Sequence, residues 1–221
     1  MFERFIIQPP ACVRWLFDNT VWRLPHKGDV KQVALTFDDG PIPEQTPWVL
    51  DILERYGIHA TFFCVGENVQ RYPEIYADII RRGHSVGNHT YNHVQLFKEG
   101  SKAYKQNEQR GLSVMGGDIR YFRPPHGQIT PLMTRYLSRH YKHIVLWDVM
   151  PKDYDKNLTP QEVFDNLRKY VRNGSVIVMH DSIKAGERMR YTLQKTIETL
   201  SAEGYKFVSL DEAFAADKQQ H

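Results

Sequence analysis

From residue 33 onward the chain repeats one pattern: a short apolar run, then a stretch with helical spacing. That repetition constrains the fold more than any single residue does. Runs near 33–37, 60–65, 84–88, 119–122, 143–147, 175–180 and 206–209 read as strands, and 44–56, 68–82, 102–115, 130–139, 160–172, 187–203 and 210–216 read as helices. Gly57, Gly83, Gly174 and Gly204 stand just before later strands, where a glycine closes a helix by taking the left-handed conformation. Thr159-Pro160-Gln161-Glu162 is a capping box with proline at the first helical position. Repeated strand–helix units argue for a parallel sheet with helices outside it. Seven units fit a barrel or an open doubly wound sheet, and the pattern alone does not choose.

With 221 residues, 41% hydrophobic and 12% aromatic, the chain suits one domain with a sizeable core. A net charge of +3, spread among alternating acids and bases, gives no basic stripe of the kind that binds nucleic acid. Cys12 and Cys64 form no CxxC pair and read as free thiols of a reducing compartment. No apolar run reaches the length of a membrane span. At the N-terminus, Phe5-Ile6-Ile7 is cut short by Gln8-Pro9-Pro10, and no small-residue cleavage site follows. The expectation is therefore a cytoplasmic protein without a secretory signal. Residues 1–28, with Trp15, Phe17 and Trp22, read as an aromatic-rich extension packed over the outside of the domain that spans 29–217. Peripheral membrane contact by this extension is the alternative reading.

In parallel α/β folds the working residues collect at the carboxyl ends of the strands. Directly after the first run stand Asp38-Asp39-Gly40-Pro41. Unpaired carboxylates are not tolerated inside a strand, but they are at a strand end above a pocket; a polar Asp-Gly turn explains the pair equally well at this point. Strand alternation points the two side chains apart, and the Gly40-Pro41 turn relaxes that rule. After the third run come His89 and His93, four apart, a spacing that puts both on one face of a helical turn where they can share a metal. Taken alone the pair is weak, since ten histidines in this length give about 0.4 chance pairs at any fixed offset. After the fourth come Arg123-Pro124-Pro125-His126-Gly127, in which Arg123 can steer a carboxylate bidentately or simply sit on the surface. Trp147, Asp148 and Asp153 follow the fifth, and His180-Asp181 closes the sixth, Val176-Ile177-Val178-Met179. Each residue has a bland reading. Their recurrence at equivalent strand ends does not.

Thr36-Phe37-Asp38-Asp39-Gly40, the His89–His93 pair, Arg123-Pro124-Pro125 and the Val178-Met179-His180 ending together resemble the motifs of the polysaccharide deacetylases with the NodB homology fold, carbohydrate esterase family four. They recur in the family's order over roughly residues 30 to 210. The resemblance implies a distorted (β/α)7 barrel and a catalytic domain at 29–217. It implies a hydrolase that removes acetyl groups from N-acetylated or O-acetylated sugars of a poly- or oligosaccharide, with acetate as product. Carried over by position, Asp39, His89 and His93 would hold one divalent metal ion. Asp38 would be the general base and His180 the general acid. Arg123 would orient Asp38, and Asp153 would pair with His180. Trp147 and Val178 would line the acetyl pocket, and the main-chain N–H of His126 would bind the oxyanion. An Asp and two His suit zinc, the ion favoured here, and also cobalt, manganese, nickel or ferrous iron. The chain departs from the family with His126 where Tyr is usual, Met150 where Asp is frequent, and Tyr154 where Trp is frequent. Those departures keep two other readings in view: an amidase of the same fold acting on a small non-sugar amide, and a non-catalytic sugar-binding domain.

Overall fold

A computed structural model describes residues 7–17, 19–25, 28 and 30–215. Residues 1–6, the Phe5-Ile6 part of the apolar run, and the 216–217 end of the expected domain and last helix lie outside the described residues.

The strand that carries the paired carboxylates, β2 (Gln32–Asp38), is buried at every position. Such a strand reads as a continuous apolar run because both of its faces are covered. Val33, Leu35 and Phe37 pack into the main core with the helices, whereas Ala34 belongs to a smaller cluster with Phe63, Tyr121, Val145 and Val176. Alternation then places Thr36 and Asp38 on the same face as Ala34.

Five further strands build the sheet: β3 (Thr61–Cys64), β4 (Ser85–Asn88), β5 (Tyr121–Phe122), β6 (His143–Val145) and β7 (Val176–His180). A short strand β1 (Thr20–Val21) precedes β2, and β8 (Lys206–Phe207) ends the series. All named pairings are parallel, in the order β1-β6-β5-β4-β3-β2-β7, with β8 also on β2. The ring closes just after β6. There the N–H groups of Asp148 and Val149 donate to the Val176 carbonyl, and the Val178 N–H donates to the Val149 carbonyl. The result is the expected distorted barrel, with helices around it. Asp38 pairs in register with His180, and Asn88 with Phe122, so the groups that follow these strands emerge at one end.

The helices are α1 (Ala11–Trp15), α2 (Thr46–Arg55), α3 (Gly66–Arg71), α4 (Pro73–Arg81), α5 (Leu96–Met115), α6 (Pro131–Leu137), α7 (Pro160–Tyr170), α8 (Gly186–Ala202) and α9 (Leu210–Ala215). The single helix expected over 68–82 is two. Tyr72, which precedes Pro73, leaves the helical region (φ −130°, ψ 59°), as a residue before proline is pushed to do. The helix expected over 102–115 starts earlier, at Leu96, and is interrupted by Gly100 at φ 78°. The capping box at Thr159 and Glu162 forms in both directions. The aromatic N-terminal stretch contributes β1 and α1, which periodicity did not reveal because each spans at most five residues. Both cysteines are free thiols, and no described helix is long and apolar enough to cross a membrane.

Candidate active site

At the carboxyl end of the sheet, β2 stops at Asp38 and Asp39 takes a positive φ of 84°. This change of conformation brings the second carboxylate round to the same side as the first. The turn is pinned from both flanks: Asn68 Nδ2 donates to the Asp39 carbonyl at 2.8 Å, and the Val65 N–H to the Gly40 carbonyl at 2.9 Å. Gly40 has no room for a side chain, because a Cβ there would lie 2.1 Å from Asp181 Oδ2. Asp181 is fully buried and accepts from the Gly40 N–H at 3.1 Å and from Thr46 Oγ1 at 2.5 Å. Burial, with the Asp39 charge nearby, pushes its carboxyl up to about 8. Asp181 thus supports the turn from beneath, a role its place in the His180-Asp181 pair did not disclose.

The two histidines are not on a helix. Residues 89–95 form a loop in which Thr90 (φ 65°) and His93 (φ 58°) are left-handed. Asn107 of α5 ties the loop down, its Oδ1 accepting from the N–H groups of Tyr91 at 2.9 Å and Asn92 at 3.2 Å. The loop still brings the rings to 4.9 Å, so the expected pairing arises from a different local geometry. His89 Nδ1 donates to the Arg123 carbonyl at 2.7 Å, which leaves Nε2 as the ligating nitrogen. Burial, reinforced by His93, holds the buried His89 imidazole well below its ordinary pKa and so neutral. His93 Nε2 lies 3.3 Å from Asp39 Oδ1 and His89 Nε2 lies 3.9 Å from it. One donor atom from each of Asp39, His89 and His93 falls within 4.8 Å of the others. Among the described residues, Asp39 Oδ1 is buried without a hydrogen-bond donor. A carboxylate oxygen left so is costly, and a cation among these three groups would remove the cost. The donor set fits a divalent ion.

Arg123 is fully buried and spreads its donors. Nη1 reaches Asp38 Oδ1 at 2.6 Å and Thr36 Oγ1 at 2.8 Å; Nε and Nη2 go to the carbonyls of Val145 and Leu146. The contact with Asp38 is therefore through one nitrogen, not the bidentate fork expected, because the strand-end carbonyls take the remaining donors. Asp38 keeps Oδ2 directed toward the cluster, 3.9 Å from His89 Nε2.

His180 ends β7 with Asp153 beneath it. Its Nδ1–H donates to Asp153 Oδ1 at 2.7 Å and its backbone N–H to Oδ2 at 2.7 Å. Burial pulls the imidazole down, but the Asp153 charge and hydrogen bond outweigh it, helped by Asp39 and Asp38, and raise it to about 10. Tyr154 packs edge-on against the ring at 5.0 Å.

These groups open on one pocket of about 330 Å³. Asp38, Asp39, His89, His93, Arg123, His126, Trp147 and His180 all line it, together with the departing residues Met150 and Tyr154. Asp153 is not a lining residue and bonds His180, which is. Val178, expected in the acetyl pocket, is buried in β7 and is not among the lining residues. Asp148 is turned away toward Arg14, Arg172 and Ser175. Ser182 and Lys184 line the pocket without having been singled out; their only signal was position, two and four residues beyond His180. His126 takes φ 57°, its ring meets that of His93 at 4.5 Å, and its backbone N–H makes no hydrogen bond among the described residues.

The family profile described as polysaccharide deacetylase matches residues 26–145, more than half of the chain. The chain belongs to the polysaccharide deacetylase family. Two peptidoglycan-N-acetylglucosamine deacetylases of Bacillus cereus are 34% and 31% identical to it, each over 86% of this chain and over 70% and 91% of their own lengths. Among solved structures, the Bc1960 peptidoglycan N-acetylglucosamine deacetylase superposes with a TM-score of 0.83 at 31% identity, covering 91% of this deacetylase-family chain and 95% of that one. A carbohydrate esterase family four pseudoenzyme from Bacillus anthracis shares the fold, with a TM-score of 0.76 at 24% identity over 88% of this chain and 68% of its own.

Proposed function

We propose that this deacetylase is a metal-dependent hydrolase acting on N-acetylated sugars of a peptidoglycan- or chitin-like glycan, with acetate as product. The observation that carries the reading is the presence of two separately supported proton-transfer groups, Asp38 on Arg123 and His180 on Asp153, around one three-ligand cluster in one pocket. The named relatives act on peptidoglycan N-acetylglucosamine, which supports the substrate class.

Asp39, His89 and His93 would hold the ion, zinc by preference for a mixed carboxylate and imidazole set. When bound, such an ion would supply Lewis-acid chemistry, acidifying a water and polarising a carbonyl. Asp38, with Oδ1 taken by Arg123, has Oδ2 free to accept the proton of the attacking water as the new C–O bond forms. The His126 N–H is free to donate to the oxygen on which charge develops. His180, its Nδ1–H on Asp153, is held protonated and gives the Nε2 proton to the amide nitrogen as the C–N bond breaks. Water is consumed, and a free amine and acetate leave.

Acetate release from N-acetylglucosamine oligomers and from peptidoglycan, before and after chelation and metal readdition, tests the reading. Release that chelation abolishes and an added ion restores is expected. Met150, Tyr154 and His126 in the pocket favour the small-amide amidase as the second reading; hydrolysis of small amides with none from either glycan would establish it instead.

A further inference from the structure

We propose that the N-terminal segment sets the size of acyl group that the site accepts, by fixing Trp147 through Trp22. The proposal rests on the reading of Trp147 as the wall of the acyl pocket. Ile7, Arg14, Thr20 and Val21 each contact the 144–150 segment. Thr20 and Val21 pair with Ile144 and Val145, and the Leu146 N–H donates to the Val21 carbonyl at 2.7 Å. Arg14 Nη1 donates to Asp148 Oδ1 at 2.9 Å, and the Met150 N–H to the Ile7 carbonyl at 2.9 Å. Trp147 and Met150, the two members of that segment that line the pocket, thus lie at or next to these contacts with the N-terminal segment.

Two close supports of Trp147 lie among the described residues. Its indole lies so near Gly127 that a Cβ there would be 2.5 Å from it. The Trp22 ring lies 6.4 Å from it at 57°, within the range of a tilted aromatic contact. Trp22 is not a lining residue, so it touches Trp147 from outside the pocket. The Trp22 Nε1–H is buried and makes no hydrogen bond among the described residues, so packing is what this contact supplies. An apolar wall rejects one extra methylene by about 10–200-fold only if it cannot retreat. Gly127 bars one direction of movement, and Trp22 bars another.

The test measures binding of acetate, propionate and butyrate to the metal-loaded full-length protein by titration calorimetry, which needs no turnover. Rates on N-acetyl and N-propionyl glucosamine oligomers are compared alongside. Wild type should prefer acetate to butyrate by at least about 10-fold. Trp22→Leu should shrink that preference by about 10-fold and raise the propionyl-to-acetyl rate ratio, with metal content unchanged. Trp22→Phe, which keeps an aromatic contact, should restore the preference. Arg14→Gln loosens the same segment while Asp148 keeps Arg172 and Ser175, so it should act in the same direction with smaller size, and it serves if Trp22→Leu does not fold. If Trp147→Ala relaxes the preference and neither Trp22→Leu nor Arg14→Gln does, the proposal is wrong while the acyl-pocket reading stands. If Trp147→Ala changes nothing, or wild type binds no acetate, the acyl-pocket reading fails and the proposal with it.

Discussion

The pocket has two walls built on different principles. One carries Asp38, Asp39, His89, His93, Arg123 and His180, where a backbone carbonyl holds His89, buried Arg123 holds Asp38, buried Asp153 holds His180, and Asn68 holds the Asp39 main chain. The other carries Trp147, Met150 and Tyr154, held by aromatic packing and by an N-terminal segment that crosses the barrel seam. The first wall follows the family's motifs residue by residue. The second is where the chain departs from them. A charged group displaced by a fraction of an ångström loses its hydrogen bonds, whereas an apolar wall tolerates exchange at moderate cost. Reaction chemistry is accordingly assigned to the first wall and choice of substrate to the second.

Substitutions in the two walls should therefore separate. The largest effect is expected from His89→Ala combined with His93→Ala: the bound ion is lost by elemental analysis and acetate release falls to background. Arg123→Ala comes next. It leaves the Asp38 charge buried and uncompensated, so stability should fall by about 3–5 kcal/mol in denaturant unfolding, with activity lost as well. Asp153→Asn removes the charge that raises His180 and keeps the shape. The acid form of His180 then survives only to lower pH, so the alkaline limb of the pH–rate profile should move down from near pH 10 while metal content stays constant. The smallest effect is expected from Tyr154→Trp on the second wall, a change of roughly 10-fold or less in the relative kcat/KM of two glycans, with stability and metal content unaltered. A Tyr154→Trp enzyme that loses its ion would erase the distinction between the walls.

The first wall was also the more legible in the sequence. Asp38-Asp39-Gly40, His180 and Arg123 announce themselves because titratable groups at the ends of apolar runs are costly without a purpose. The repeat of runs and helical stretches revealed seven of the eight strands among the described residues, since both faces of a parallel sheet are apolar. What stayed hidden was short or conformational. β1 spans two residues and gains its place only from pairing with β6. The left-handed residues Thr90 and His93 replace the helical turn that their spacing suggested, and Asn107, far along the chain, is what holds them. Val178 shows the limit of position-by-position transfer: its strand is where the motif places it, but its side chain is not on the pocket. Asp181 was visible as a residue and not as a support, because nothing local indicates that Gly40 lies on it.

The central claim is that the first wall divides its two aspartates, Asp39 to hold the ion and Asp38 to move a proton. Metal stoichiometry and acetate release measured on the same preparations of wild type and Asp38→Asn test it most directly. Both proteins should carry about one equivalent of ion, and Asp38→Asn should turn over at least about 100-fold more slowly. An Asp38→Asn protein that loses its ion, or that keeps near-normal turnover, would contradict the assignment.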